Sequence, residues 1–366
     1  MKIKDFEFNL RELAGSMGDF GTLLPFAVGY IMINGIDPAG LLIMLGLTNI
    51  LTGIVYRLPI PIQPMKLIGV VAIAQKWSPG LIYASGFGSG IIWLFMVFTG
   101  AIDKVARLTP KGVVRGIQVA LGIMLVFKGF EMISTGWILG IIALVIVIFL
   151  RESKYAPAAI VLMILGIVIV AVKGELLPSI EFRLSLPPLT TFTPREVWDA
   201  FVLAGFAQLP LTVANAVIAT AALIRDYWPE KPVPERKLAL NMGIMNSVAP
   251  FLGGMPMCHG AGGLAGKYYF GGRTGGTNII EGVIEVSLGL FLASSIANFF
   301  QVFPKSILGA MLFLIGLELA KFVKDIKKNE IAVMATTAIL SLIFNMAVGF
   351  LSGLLVHYFI QRISKK

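Results

Sequence analysis

The sequence predicts an all-α polytopic membrane protein of about 14 spans in two inverted seven-span repeats, with spans 3 and 10 broken. Three observations carry this expectation. First, 57% of the 366 residues are hydrophobic and only 14% are charged, whereas soluble domains carry roughly 25% charge. Second, a proline-rich break interrupts an apolar run in each half of the chain. These breaks are Leu58 to Ala74 (LPIPIQPMKLIGVVAIA) and Gly253 to Tyr269 (GGMPMCHGAGGLAGKYY). Each reads as a short extended stretch followed at once by a small-residue half-helix. Such backbone is tolerated at membrane depth only when buried in protein or lining a wet cavity. Third, basic residues divide unequally between alternate loops.

The spans are expected at 19–34, 38–56, 64–76, 81–102, 112–131, 134–150, 156–173, 196–224, 236–252, 257–270, 278–302, 304–320, 330–346 and 348–361. With the N-terminus in the cytoplasm, 23 of the 30 Lys and Arg fall on the cytoplasmic side and 6 outside. Lys66 is left inside span 3. That asymmetry supports an even span count with both termini cytoplasmic. It also accounts for the net charge of +10 by topology, so nucleic acid is not an expected partner.

Residues 1–18 carry acids and lack the apolar core of a signal peptide. Phe6, Leu10 and Leu13 suggest an amphipathic helix lying on the membrane. Residues 19–173 form the first repeat. Residues 174–195 hold several prolines and read as an extended outer linker. Residues 196–362 form the second repeat. Seven is odd, so the second repeat enters the membrane upside down. One cysteine, Cys258, excludes an internal disulfide. Neither a Cys/His metal cluster nor a phosphate-binding loop is present, so no metal or other cofactor is expected. An intramembrane enzyme would need a nucleophile–base pair, and His259 beside Cys258 is too thin a basis for one.

The candidate site follows from the breaks. A helix that begins inside the membrane presents unpaired backbone N–H groups and the positive end of its dipole. Two such starts facing each other make an anion site. Gln63, Met65 and Lys66 lie at the first start, and Cys258, His259 and Gly260 at the second. A lysine inside a span costs at least about 2.5 kcal/mol on insertion scales and is a functional candidate, unless it snorkels to the surface. Asp19, Gly21 and Thr22 from span 1 and Gln208, Thr212 and Asn215 from span 8 supply the walls. The last three share one helix face. Asp19 is alternatively a helix cap. Glu318 and Glu285 are proton-coupling candidates. For Glu318 the plain alternative is an ion pair with Lys321, and Glu281 is expected near the surface as an ordinary acid. Gly112/Gly116, Gly136/Gly140 and Gly262/Gly266 have the spacing of close helix packing.

The strings GSMGDFGTLLPF, PIQPMK, QLPLTVANAVIA and MPMCHGAGGLAGKYYFGGRTGG resemble the signature segments of the molybdate transporter family, related to the sulfate permeases and nucleobase transporters. The match spans most of the chain. It departs at Ile60 and Ile62, where Met and Val are usual, and keeps the polar positions. The resemblance implies a core domain (spans 1–4 and 8–11) and a gate domain (spans 5–7 and 12–14). Substrate would lie between them, moved by an elevator-like shift of the core in the cell membrane. It also implies a homodimer. Sulfate permeases typically end in a soluble regulatory domain, which this sequence is expected to lack.

The residues alone give an anion transporter, and only the resemblance gives molybdate. Moving a dianion inward against about −100 mV costs roughly 2 × 2.3 kcal/mol, so uptake needs a coupled cation or a very low internal level of free substrate; Glu318, His259 and Asp19 make proton symport the expectation. Sulfate shares molybdate's charge and shape and stays open. A nucleobase or xanthine permease would favour an acid at the position of Gln208. An anion channel would need a continuous polar lining or an oligomeric pore.

Overall fold

The computed structural model describes residues 2–3, 5–150, 158–177, 180–321 and 326–363. The expected cytoplasmic charges Lys4, Arg151, Lys154, Lys324, Lys365 and Lys366 lie outside the described residues.

A hairpin of β1 (Lys2–Ile3) and β2 (Phe6–Glu7) leads into the short α1 (Leu10–Ser16). There follow α2 (Phe20–Met32), α3 (Pro38–Tyr56), strand β3 (Gln63–Pro64) and α4 (Lys66–Gln75). The first half continues with α5 (Pro79–Thr99), α6 (Ala101–Leu108), α7 (Lys111–Ile133), α8 (Trp137–Leu150) and α9 (Ala158–Val172). An extended connection then runs to one continuous helix, Pro194–Tyr227. It comprises α10 (Pro194–Ala200), α11 (Phe206–Thr212) and α12 (Ala219–Tyr227), joined by π-helical turns at Phe201–Gly205 and Val213–Ile218. After it come α13 (Glu235–Val248), strand β4 (Met257–Cys258), α14 (Ala261–Phe270) and α15 (Gly276–Val302). The last helices are α16 (Lys305–Ala320), α17 (Ile331–Ile343) and α18 (Met346–Ile363). Six described helices are long and apolar enough to cross a membrane, and α2, α4, α8, α9 and α17 are shorter apolar helices.

Local chemistry sets the helix starts. Asp37 and Ser78 cap α3 and α5 through Gly40 N–H and Leu81 N–H, each with proline in the first turn. Thr193 and Glu196 form a reciprocal capping box ahead of α10, again with proline. Proline costs nothing there because the first N–H groups of a helix have no internal partner. Pro210, inside α11, does remove a bond and crowds the preceding turn. The flanking π turns re-route the backbone around it.

Glycine brings the principal helix pairs together. A Cβ on Gly129 (α7) would lie 2.6 Å from the Gly309 carbonyl oxygen, and one on Gly309 (α16) 2.6 Å from that of Gly129. Gly46 (α3) and Gly282 (α15) approach each other in the same reciprocal way. Of the three spaced pairs, Gly116 packs on Thr337 and Gly140 on Ile133, while Gly262 has open space beside it. Changing Gly309 to valine should force α7 and α16 apart. We expect about 1–3 kcal/mol of lost stability, read as a lower thermal unfolding midpoint in detergent.

The structure corrects the sequence reading of the N-terminal segment, Lys267 and Glu281. Phe6 is in strand β2, so the helix of the N-terminal segment is confined to Leu10–Ser16. The cause is Glu12, which folds back to accept hydrogen bonds from Arg273 and Thr274 N–H and from the Thr277 hydroxyl. The helix therefore docks on α14 and α15, although Leu10 stays exposed. Lys267 is no loop charge: its side chain is fully buried. Glu281 is no surface acid: it is buried and ion-paired to Lys267.

Candidate functional site

The two breaks meet. β3 and β4 pair antiparallel, with Gln63 opposite Cys258 and Pro64 opposite Met257. Met65 N–H donates to the Pro256 carbonyl (3.0 Å), closing the ribbon where α4 begins. Asn246 holds the second strand from behind. Its Oδ1 accepts from Met257 N–H (2.8 Å) and its Nδ2 donates to the Met257 carbonyl (2.6 Å), replacing the strand neighbour that β4 lacks. Buried extended backbone must find such partners.

Beside this ribbon lies a small cavity lined by Gln63, Lys66, Gln118, Gln208, Leu211, Thr212, Asn215, Ala216, Cys258, His259 and Leu319. It leaves about 40 Å³ for the centres of water molecules. One water needs roughly 10–15 Å³ on that measure, so there is room for a few waters or one compact ion. The lining includes one ammonium, Lys66, and no carboxylate. Among the described residues Lys66 has no ion-pair partner.

The two helix starts differ. Gln208 Oε1 accepts from both Leu67 N–H (3.0 Å) and Ile68 N–H (3.1 Å), so the start of α4 is already capped. The Gln208 amide is in turn held by donating to Thr212 Oγ1 (2.5 Å). This overturns the expectation of bare N–H groups at both starts. The start of α14 has only Gly260 as its cap residue and no side-chain cap. Gln63 leans over it: Cβ atoms on Gly260 or Gly263 would lie 2.4 Å from its amide. Both Gln63 amide atoms are buried without hydrogen-bond partners. That is the one strongly unsatisfied side chain of the lining, and a bound oxyanion would satisfy its N–H.

His259 is fully buried. Its Nδ1 lies 3.1 Å from the Pro61 carbonyl, which can only accept, so Nδ1 carries the proton. Asn241 Nδ2 sits 3.4 Å from Nε2 and donates to its lone pair. The ring thus ties the second break to the first. The Cys258 thiol faces the Pro64 carbonyl at 3.8 Å, as a packed thiol does. No metal-binding group of three or more His, Cys, Asp or Glu exists among the described residues.

Of the residues expected at the site, Gln63, Lys66, Gln208, Thr212, Asn215, Cys258 and His259 share this cavity. Met65 is packed in the apolar core, Gly21 is exposed, and neither these nor Thr22 and Gly260 line it. Asp19 makes no cap hydrogen bond and points instead to Lys267 (3.6 Å). Glu318 is half-exposed and pairs with Lys321 at 2.7 Å, the plain alternative. Glu285 is buried and accepts from Asn49 Nδ2 (2.8 Å), away from the cavity. Sequence reasoning missed Gln118, on α7, although an amide in the apolar run VVRGIQVALG was a visible signal. It also missed Asn246, whose role depends on a strand pairing that spacing does not reveal.

Comparison with known proteins places this arrangement. A family model described as "Molybdate transporter of MFS superfamily" matches residues 11–125 and 200–319, more than half of the chain and every break and wall residue above. The chain is 33% identical to Molybdate transporter 1 of Arabidopsis thaliana, covering 96% of this chain and 88% of that one. It is 30% identical to Molybdate transporter 2 of the same plant, with 96% and 87% covered. Its fold is similar to the transmembrane domain of the cyanobacterial bicarbonate transporter BicA, at a TM-score of 0.69 and 16% identity, covering 94% of this chain and 97% of that one. The protein is therefore a membrane transporter rather than an enzyme, and it belongs to the molybdate transporter family.

Proposed function

We propose that this chain imports a tetrahedral oxyanion, molybdate, across the cell membrane by an elevator-type, proton-coupled cycle. The observation that carries the substrate class is the cavity: one unpaired ammonium, an unsatisfied amide and no carboxylate. Such a lining favours an anion and disfavours a cation. Its small volume suits a five-atom ion better than a purine ring. The similarity to plant molybdate transporters supports molybdate within that class.

Symmetry in the packing supports two inverted seven-span repeats. α3 packs on α15 while α13 packs on α5, and α8 packs on α16 while α17 packs on α7. Exchanging the halves turns each contact into its counterpart. β3–β4 and α7–α16 pair across the same pseudo-two-fold axis. The cavity takes its lining from α4, α11, the adjoining π turn, β3 and the β4 segment of the core, with Gln118 and Leu319 from the gate. A site carried almost wholly by one body is what a moving core requires. Moving Lys267 out of the cytoplasmic tally leaves 22 basic residues against 6, so cytoplasmic termini keep their support. A homodimer remains the expected assembly.

Purified protein in proteoliposomes should accumulate molybdate faster when the outside is more acidic. Uptake indifferent to the proton gradient would remove the coupling, and absence of molybdate uptake would remove the substrate. Gln208→Glu tests the wall. A carboxylate keeps the oxygen that caps α4 but sets a negative charge in the cavity. Molybdate affinity should fall at least about tenfold in protein that still folds. Unchanged affinity would place the anion elsewhere.

A further inference from the structure

Centred on Lys267 of α14, and sharing no residue with the substrate-cavity lining, lies a second, buried cluster of charge. Lys267 Nζ contacts Asp19 Oδ2 (3.6 Å), Glu281 Oε2 and Asn278 Oδ1 (3.3 Å). Glu285 stands one turn beyond Glu281 on α15, held by Asn49 of α3. All of these side chains are at least nine-tenths buried. Three carboxyls against one ammonium sum to −2 when all are ionised. Five acceptor atoms have no hydrogen-bond donor: both oxygens of Asp19, one each of Glu281 and Glu285, and Asn49 Oδ1. A buried, uncompensated negative charge with unfilled acceptors is strongly unfavourable.

Charged groups on the surrounding elements are engaged elsewhere or exposed: on α12 Arg225 pairs with Glu235 and Asp226 is exposed, on β2 Glu7 accepts from Asn9, and on α1 Arg11 is exposed. From α1, Glu12 is committed to the N–H groups of Arg273 and Thr274 and to Thr277. Arg273 stacks on Tyr268 and donates to the carbonyls of Tyr268 and Gly272. From α3 comes only the neutral Asn49, and Arg57, beyond its end, pairs with Asp5. The acids of α15 are Glu281 and Glu285 themselves. No other described cation reaches the cluster, and the described residues form no metal-binding group there.

We propose that the Asp19–Glu281 carboxyl pair is the site that binds the co-transported proton, with Lys267 as its fixed counter-charge. The two carboxyls converge on the same ammonium: Lys267 Nζ lies 3.6 Å from Asp19 Oδ2 and contacts Glu281 Oε2 directly. One proton placed between them supplies the missing donor and lowers the buried charge to −1. The proton enters from the outer solution when the core faces out and leaves to the cytoplasm when the core faces in. Lys267 stays an ammonium throughout. This rests on the proton-coupled reading above and seats the proton at Asp19 and Glu281 in the core interior rather than at Glu318 or Glu285.

The cluster also has a path to the substrate cavity. Asn278 accepts from Lys267 and donates from Nδ2 to the Ile60 carbonyl (2.5 Å) in the first break. The next carbonyl, Pro61, accepts from His259, which lines the cavity. Protonation changes how strongly Lys267 is drawn toward Glu281 rather than Asn278. It therefore bears on the strand that carries Gln63 and Lys66.

The test uses full-length protein in proteoliposomes. In the wild type, one coupled proton makes a one-unit pH difference worth about a tenfold change in the accumulation ratio. Glu281→Gln and Asp19→Asn should each keep molybdate exchange without a gradient and lose that tenfold response, while Glu318→Gln keeps it. Infrared difference spectra of the wild type give a readout independent of variant folding. A protonated-carboxyl band sensitive to deuterium exchange should change when molybdate binds. Wild-type uptake indifferent to pH would sink the coupled reading itself. Sodium-driven uptake in place of proton-driven uptake would sink it as well, whereas a gradient response kept in folded Glu281→Gln, or no carboxyl band, would each overturn this location alone.

Discussion

Lys66→Met should cost molybdate binding roughly 30- to 5,000-fold, leaving the protein folded. The range follows from about 2–5 kcal/mol for removing one member of a desolvated charge pair. Lys66 is the cavity's lone ammonium and has no carboxylate there to leave stranded, so its loss does not expose an orphan charge. Methionine keeps the length and apolar stem that pack at the start of α4. The variant should therefore match the wild type in thermal stability, and titration of molybdate into both proteins separates binding from folding. Arginine at this position should restore part of the affinity, because the charge returns in a different shape. Equal affinity in the wild type and Lys66→Met would show that the lysine only snorkels.

Lys267→Met should have the opposite profile: a large loss of stability, by about 3–5 kcal/mol, before any question of binding arises. Removing this ammonium strands Asp19 and Glu281 in the interior with no cation against them. Adding Glu281→Gln to Lys267→Met removes one of the stranded charges. The double variant should recover a good part of the lost stability, so the two changes are strongly non-additive. Thermal unfolding of the four proteins of that cycle, measured in one detergent, checks it. Additive losses would mean that the buried pair is not energetically coupled.

Much of this was legible in the sequence because membrane physics leaves few options. A proline-rich stretch flanked by apolar runs has to be an internal break, and both breaks are extended segments followed at once by a helix. The polar face Gln208, Thr212 and Asn215 had to point inward, and all three line the cavity. Spacing could not reveal what each amide does. Gln208 caps a helix start from 141 residues away in sequence, a contact that no local pattern encodes. Lys267 misled because GGLAGKYYFGGRTGG ends at a glycine-rich loop, where lysines are normally solvated. Its burial follows from Gly18, which brings the chain before α2 against Gly266, and from acids on two other elements. Glu281 misled for the same reason. Ion pairs between distant segments are set by tertiary packing, and a single sequence carries their members but not their meeting.

The small cavity between the breaks should bind a tetrahedral oxyanion through Lys66 and the amide of Gln63. Equilibrium competition on the purified protein tests it most directly, with labelled molybdate displaced by tungstate, sulfate or uracil. Tungstate should displace the label at a concentration similar to unlabelled molybdate, uracil should not, and Lys66→Met should lose the labelled signal. Displacement by uracil, or molybdate binding that survives Lys66→Met and Gln63→Ala together, would contradict it.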